Sequence, residues 1–435
     1  MFELTLRLNG YPISEAKKKL REIQNINEPD YKAYVHHQRQ EIVKYHLENN
    51  TFYKSFIGNN QTDNWNDIPI LQKKDLQISL QKRLSKGYSL KNCYINKTSG
   101  SSGHPLIFAK DKFCHAMTWA EIIDRFGWFS IDFNSSFQAR FYGIPLDFLN
   151  YHKERLKDRL SHRFRFPIFD LSESKLESYL GVFKRKEFYY INGYTSSIVL
   201  FAKFLKEKNI VLTSISTSLK YCVVTSEMLY EKDKILLKKW LGVPIINEYG
   251  AAELDLIAFT NSKDEFVVNS ESLFVEILDN NNQPLPNGSL GKIVITSLYN
   301  KAHPLIRYEV GDSGVLSEKG SLKTPILQQL IGRTNDIAKL PSGKVVPGLT
   351  FYYITKSIIE DDGNVKEFVI EQIKIDAFKI IYVSERELSL EELTKIKIAL
   401  VNYMENNLKL TFERVAILQR KRSGKLKQFS SLLNY

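Results

Sequence analysis

The chain has 435 residues, with 61 Lys and Arg against 49 Asp and Glu, a formal net charge of +12, and 43% hydrophobic residues. This length exceeds what one hydrophobic core organises, so at least two domains are expected. The ordinary apolar and charged fractions exclude a disordered or fibrous protein, and no apolar run reaches the roughly 20 residues of a membrane-spanning helix.

In chain order, Glu15 to Ile23 and Asp30 to Tyr53 have helical apolar spacing and end in the polar turn Gly58-Asn59-Asn60, which predicts a helical preface over about 1–69. From Cys93 to about Gly250, short apolar runs such as Phe137 to Tyr142 and Val243 to Ile246 alternate with helical stretches such as Thr195 to Lys208 and Tyr230 to Trp240. That alternation is the mark of a mainly parallel sheet covered by helices. The segment Lys153 to Arg165 is dense in Arg and Lys and reads as helical until Pro167, with its charges on a solvated face.

After Glu253 the pattern changes. Phe266 to Asn269, Leu273 to Leu278 and Gly291 to Ser297 are strand-like and separated by turn residues, which predicts a β subdomain over about 260–330. Beyond Gly332, Val365 to Ile375 and Phe378 to Val383 read as paired strands, Leu390 to Asn406 as an amphipathic helix and Val415 to Leu418 as a final strand. The expected division is a core over 1–332 and a small α+β cap over 333–435.

Cys93, Cys114 and Cys222 are far apart and form no Cys-x-x-Cys pair, so all three are expected reduced and buried. The eight histidines show no metal-ligand spacing. Met1-Phe2-Glu3-Leu4 lacks the charged-then-apolar layout of a signal peptide, which makes a cytoplasmic location the expectation. The basic excess suits a polyanion: nucleic acid, an anionic membrane or glycolipid surface, or small phosphorylated ligands. No RNA-binding or helix-turn-helix signature accompanies it, so nucleic acid is not expected, whereas peripheral membrane contact stays open.

Four elements occur in order: Thr98-Ser99-Gly100-Ser101-Ser102-Gly103-His104-Pro105, Tyr249-Gly250-Ala251-Ala252-Glu253, Arg307-Tyr308-Glu309-Val310-Gly311-Asp312 and Gly332-Arg333-Thr334-Asn335-Asp336. The first suits phosphate, because glycines permit close backbone approach while hydroxyls and main-chain N–H groups donate to a polyanion. It lacks the Gly-Lys-Ser/Thr ending of a Walker A loop. Taken alone, such a cluster is more often a flexible turn; the ordered series reverses that weighting.

With these motifs, and with Asn192-Gly193-Tyr194, Thr225-Ser226-Glu227 and Ser297-Leu298-Tyr299-Asn300, the sequence from about Ile70 to its end resembles the adenylate-forming acyl-CoA synthetase superfamily. Within it, the likeness is to the phenylacetate-CoA ligase group and especially its CapK-type capsule-biosynthesis branch. The fold implied is α/β: a large N-terminal adenylate-forming domain of mixed sheets flanked by helices, plus a β subdomain, with a small mobile α+β C-terminal cap.

The resemblance also implies roles. Thr98, Ser99, Gly100, Ser101, Ser102 and Gly103 would hold the β- and γ-phosphates of ATP, and Glu253 would bind Mg²⁺. Asp312 would take the ribose hydroxyls, Tyr249 and Gly250 would meet adenine, and Ser226 and Glu227 would form the opposing wall. Arg333 would reach the nucleotide at the domain junction, Lys425 would bridge the phosphate and the attacking carboxylate, and Asn335 would be the hinge. Tyr142 and Tyr194 are candidates for a flat acid pocket, although aromatic residues are more often core.

The implied reaction is ATP-dependent, AMP-forming activation of a carboxylic acid through an acyl-adenylate, followed by transfer to coenzyme A. Transfer to an amine or hydroxyl of a sugar or polysaccharide precursor is the alternative, and a non-catalytic nucleotide-binding homologue the third reading. His104 stands where the family often has a lysine, no proline precedes the terminal Gly424-Lys425, and Asn335 replaces an acidic hinge residue. These departures bear on the second half-reaction more than on adenylation. The acid and the oligomeric state are not encoded in any motif.

Overall fold

The computed structural model describes residues 2–60, 62, 64–98, 106–144, 148–331, 337–347, 364–416, 418 and 429–433. The chain divides into two compact units, one spanning Met1–Thr98, Leu106–Ser130 and Glu248–Gly332, the other Ser99–Pro105, Ile131–Asn247 and Arg333–Tyr435.

In the first unit, helices Phe2–Leu8, Ile13–Gln24, Glu28–Asn49 and Thr51–Ile57 form the preface. Ile13, Ala16, Leu20 and Ile23 recur at three- and four-residue spacing and bury against Ala116, Met117 and Ala120 of helix Lys112–Gly127. The single helix expected over 30–53 is interrupted at Asn50, because its side chain accepts from Tyr53 N at 2.8 Å and starts a new helix. Strands Leu273–Leu278, Gly291–Ser297, Tyr308–Leu316 and Leu327–Ile331 make an antiparallel sheet in that order. Asp255–Thr260 pairs antiparallel with Phe266–Val268 and with the end of Ile245–Ala251, and Tyr94–Lys97 pairs with Ile107–Lys110.

In the second unit, strands Arg163–Phe166, Gln138–Phe141, Tyr190–Tyr194 and Tyr221–Thr225 are neighbours in that order, all parallel. Helices Phe148–Leu160, Glu173–Phe183, Thr195–Glu207 and Glu231–Leu241 intervene along the chain, and a core of Phe141, Phe166, Phe183, Phe201 and Phe188 joins sheet to helices. A Cβ on Gly193 would lie 2.5 Å from Phe141 Cβ, so this strand pair requires glycine there.

The same unit contains a second sheet. Val365–Lys374 and Ala377–Ser384 pair antiparallel, flanked by parallel Phe429–Ser431 and Lys409–Arg414. Helix Leu390–Tyr403 opens with a capping box between Ser389 and Glu392.

Three expectations are corrected. The basic segment is not one solvated helix: the helix ends at Leu160, His162 takes φ 51, and Arg163–Phe166 is a strand. Arg165 is buried there, bonding Asp158 Oδ2 at 2.9 Å, Glu154 Oε2 at 3.0 Å and Gly143 O at 2.6 Å. The last parallel strand beside Ala377–Ser384 is Lys409–Arg414, ahead of the Val415 to Leu418 run, because Leu410 and Phe412 alternate onto the core. Cys114 and Cys222 are buried, but Cys93 is half-exposed.

Among the described residues, no helix is long and apolar enough to cross a membrane.

Candidate functional site

A buried polar cluster of the first unit is built around Glu253. Leu71 runs parallel to Tyr308: Leu71 N donates to Arg307 O at 3.0 Å and Glu309 N donates to Leu71 O at 2.9 Å. Asp75 Oδ2 then accepts from Gln72 N at 2.8 Å, starting the short helix Lys73–Leu76. This brings Lys73 Nζ within 3.3 Å of Glu253 Oε1, while the Tyr308 hydroxyl donates to the same oxygen at 2.7 Å.

Glu253 is only 2% exposed. Burial alone pushes its carboxyl up, but the Lys73 charge and the Tyr308 hydrogen bond outweigh it and hold the group below the usual value, ionised at neutral pH. In the sequence Tyr308 stands in the Arg307 to Asp312 motif with no role assigned, and Lys73 is one of many lysines whose local signal is Asp75 three residues after Gln72.

The turn that presents Glu253 is fixed on both sides. Register shifts between Tyr249 and Gly250, and a Cβ on Gly250 would lie 2.4 Å from Asp255 O, so the bulge requires glycine. Asp255 adopts φ 56 and its carboxylate pairs with buried Lys110. The bulge also aims Tyr249, whose hydroxyl donates to Asp312 Oδ2 at 3.0 Å. Tyr249 is buried and Asp312 half-buried.

Arg307, inside the same motif, is structural. It is fully buried at φ 47, and its Nη1 donates to Asn66 O at 2.9 Å and Ile68 O at 2.8 Å, pinning the segment that leads to Lys73. The stretch Ser297 to Asn300 is likewise internal: Asn300 Nδ2 donates to Ala109 O at 2.9 Å and Tyr299 bonds Tyr34. Thr98 is buried at the base of the Tyr94–Lys97 hairpin, bonding Leu106 through both N–H and Oγ1.

In the second unit, Ser226 is exposed at φ 68. Glu227 Oε2 accepts from Ser196 N at 2.7 Å at the start of helix Thr195–Glu207, a position that favours an anion, and burial raises its carboxyl. Tyr142 and Tyr194 meet with ring centroids 4.5 Å apart, and the Arg140 guanidinium lies 4.0 Å over Tyr142. Ser99, Gly100, Ser101, Ser102, Gly103, Arg333, Asn335 and Lys425 lie outside the described residues.

No protein-family model matches the chain. It is 22% identical over 377 residues to Protein CapK of Staphylococcus aureus, covering 82% of this chain and 78% of that protein. It is 30% identical over 138 residues to a phenylacetate-coenzyme A ligase of Thermus thermophilus, 31% of that protein's length. These relatives support a CapK-like place for the chain in the adenylate-forming superfamily.

The fold agrees with that similarity. A 2-hydroxyisobutyryl-CoA ligase, solved with 2-HIB-AMP and CoA, superimposes with a TM-score of 0.58 at 15% identity, covering 93% of this chain and 90% of that one. The relatives and the fold together support an adenylate-forming ligase that activates an acid as an acyl-adenylate.

Proposed function

We propose that the chain joins a carboxylate to the α-phosphorus of ATP, releasing pyrophosphate, and then transfers the acyl group to coenzyme A. The observation that carries this reading is the buried, ionised Glu253 held by Tyr308 and Lys73, one turn away from a Tyr249–Asp312 pair. The reaction brings anions together, so its site must neutralise charge and fix geometry more than supply a nucleophile.

Glu253, whose Oε1 is held by Tyr308 and Lys73, would bind Mg²⁺, a hard cation that prefers carboxylate oxygens and nucleotide phosphates and neutralises their charge when bound. Asp312, oriented by Tyr249, would accept from the ribose hydroxyls. Thr98 to Gly103 would cradle the outer phosphates, and Ser226 and Glu227 would face adenine. Arg333 and Lys425 would supply the cations for the α-phosphate and the carboxylate, with 333–435 acting as a cap that turns about Asn335 between half-reactions. Tyr142 and Tyr194, in tilted ring contact beside Arg140, would offer an aromatic wall and a cation to the acid.

Coenzyme A as acceptor is supported by the phenylacetate-coenzyme A ligases among the relatives. The test is pyrophosphate release with ATP and Mg²⁺ across aryl, fatty, amino and sugar acids, with and without coenzyme A. Acceleration by coenzyme A with a thioester product supports the reading. Release indifferent to coenzyme A would redirect the acyl group to an amine or hydroxyl, for example on a glycan precursor. Nucleotide binding with no release from any acid would leave only a binding protein.

A further inference from the structure

The parallel strands of the second unit start level with one another. Gln138 pairs with Arg163 and Tyr190, and Tyr190 with Tyr221. The residues just before them are knitted into one edge: Gln138 N donates to His162 O at 3.1 Å, Tyr189 N to Phe137 O at 2.8 Å and Lys220 N to Tyr189 O at 2.8 Å. Helix Phe148–Leu160 ends at this edge, immediately before His162. Helix Glu173–Phe183 also ends there, because Lys186, just past it, sets its Nζ 5.8 Å from the Phe137 ring and 5.4 Å from the Phe164 ring.

Exposed cations gather on this edge: Arg159, Lys184, Arg185, Lys186 and Lys220. Beside them Leu156 and Leu160 are 59% and 49% exposed, four residues apart and hence on one helix face. Helix C-termini favour basic side chains, which accounts for Arg159 and Lys184. It does not account for Lys220, which precedes a strand, nor for two large apolar side chains held in water.

We propose that this amino-terminal edge of the parallel sheet is a docking surface for an anionic lipid bilayer. Leucines seated among lysines and arginines match a bilayer interface, where acyl chains take the apolar groups and acidic headgroups meet the cations. A nucleic acid or other soluble polyanion would engage the cations and leave the leucines unused. Ligands of open α/β sheets sit at the opposite, carboxyl ends of the strands, so a membrane contact here is compatible with an accessible site.

The test is flotation of the full chain with phosphatidylcholine vesicles, with and without phosphatidylglycerol. Binding is expected only with phosphatidylglycerol and should weaken with salt. Leu156→Ser with Leu160→Ser, and separately Lys184→Glu with Arg185→Glu and Lys186→Glu, should each weaken it about tenfold while leaving pyrophosphate release in solution unchanged. Absence of flotation with either vesicle overturns the proposal. So does undiminished binding by the leucine variant together with equal capture on heparin, which would make the edge a general polyanion binder.

Discussion

Tyr308 and Glu253 come from different strand systems of the first unit, yet the Tyr308 hydroxyl donates to Glu253 Oε1 at 2.7 Å inside the protein. Hydrogen bonds to a charged group contribute about 1.5–3 kcal/mol, and a buried carboxylate that loses one is left poorly solvated. Tyr308→Phe is therefore expected to lower stability by an amount in that range, read as a drop in the urea midpoint. It should reduce pyrophosphate release about tenfold. Glu253→Gln, which removes the charge itself, should reduce release by roughly 10²–10³. Near-normal release in Glu253→Gln would remove Glu253 from the chemistry.

Lys73 acts on the same oxygen through its charge. Because Glu253 is held below its ordinary value, its pair with Lys73 contributes stability above that ordinary value and loses it as pH falls through the folded one. Lys73→Met removes the largest influence opposing burial and leaves the Tyr308 and backbone hydrogen bonds, so Glu253 should protonate at higher pH. The acid limb of kcat/KM for pyrophosphate release is expected to move up by roughly one unit or more. An acid limb that stays in place would mean that another group sets it.

Much of this arrangement is legible in the sequence. Leu273–Leu278 and Gly291–Ser297 form as read, because alternating apolar residues between turn signals leave one register that buries a face. Other features depend on contacts distant in sequence. Arg163–Phe166 reads as a continuation of a basic helix until Asp158 is seen to accept from Arg163 and Arg165, which makes a buried strand affordable for two arginines. Lys73 and Glu253 are far apart along the chain, with residues 131–247 of the second unit between them, and no local pattern joins them. Arg307 is the opposite case: it stands in a motif that points to nucleotide, yet its guanidinium bonds backbone carbonyls.

Tyr249 and Asp312 separate orientation from contact. Tyr249→Phe removes one hydrogen bond to Asp312 and keeps the ring, so KM for ATP is expected to rise a few-fold with little change in kcat. Asp312→Ala removes the proposed acceptor for ribose and should lower kcat/KM by roughly 10²–10³. Equal effects from the two variants would assign Asp312 to holding Tyr249 rather than nucleotide.

Gly250 tests the turn that presents Glu253. In Gly250→Ala the new methyl would lie 2.4 Å from Asp255 O, a backbone atom that cannot move without shifting the strand. A loss of about 1–3 kcal/mol in stability is expected, with activity falling further than stability explains, because Tyr249 and Glu253 flank the bulge. Full activity at a lowered melting temperature would show that the turn tolerates re-aiming.

Lys425 separates the two half-reactions. Two anions must approach at the α-phosphate, and a point charge on a flexible stem is suited to neutralise them at that moment. If Lys425 does so, Lys425→Ala should slow adenylate formation from ATP and acid by roughly 10²–10³, measured as single-turnover pyrophosphate release. Consumption of a chemically prepared acyl-adenylate by the acceptor should then remain within a few-fold of normal, since the phosphate is leaving and the approach of anions is over. Equal loss in both steps would instead indicate that residues 333–435 no longer dock, and circular dichroism with limited proteolysis of the variant would register that change.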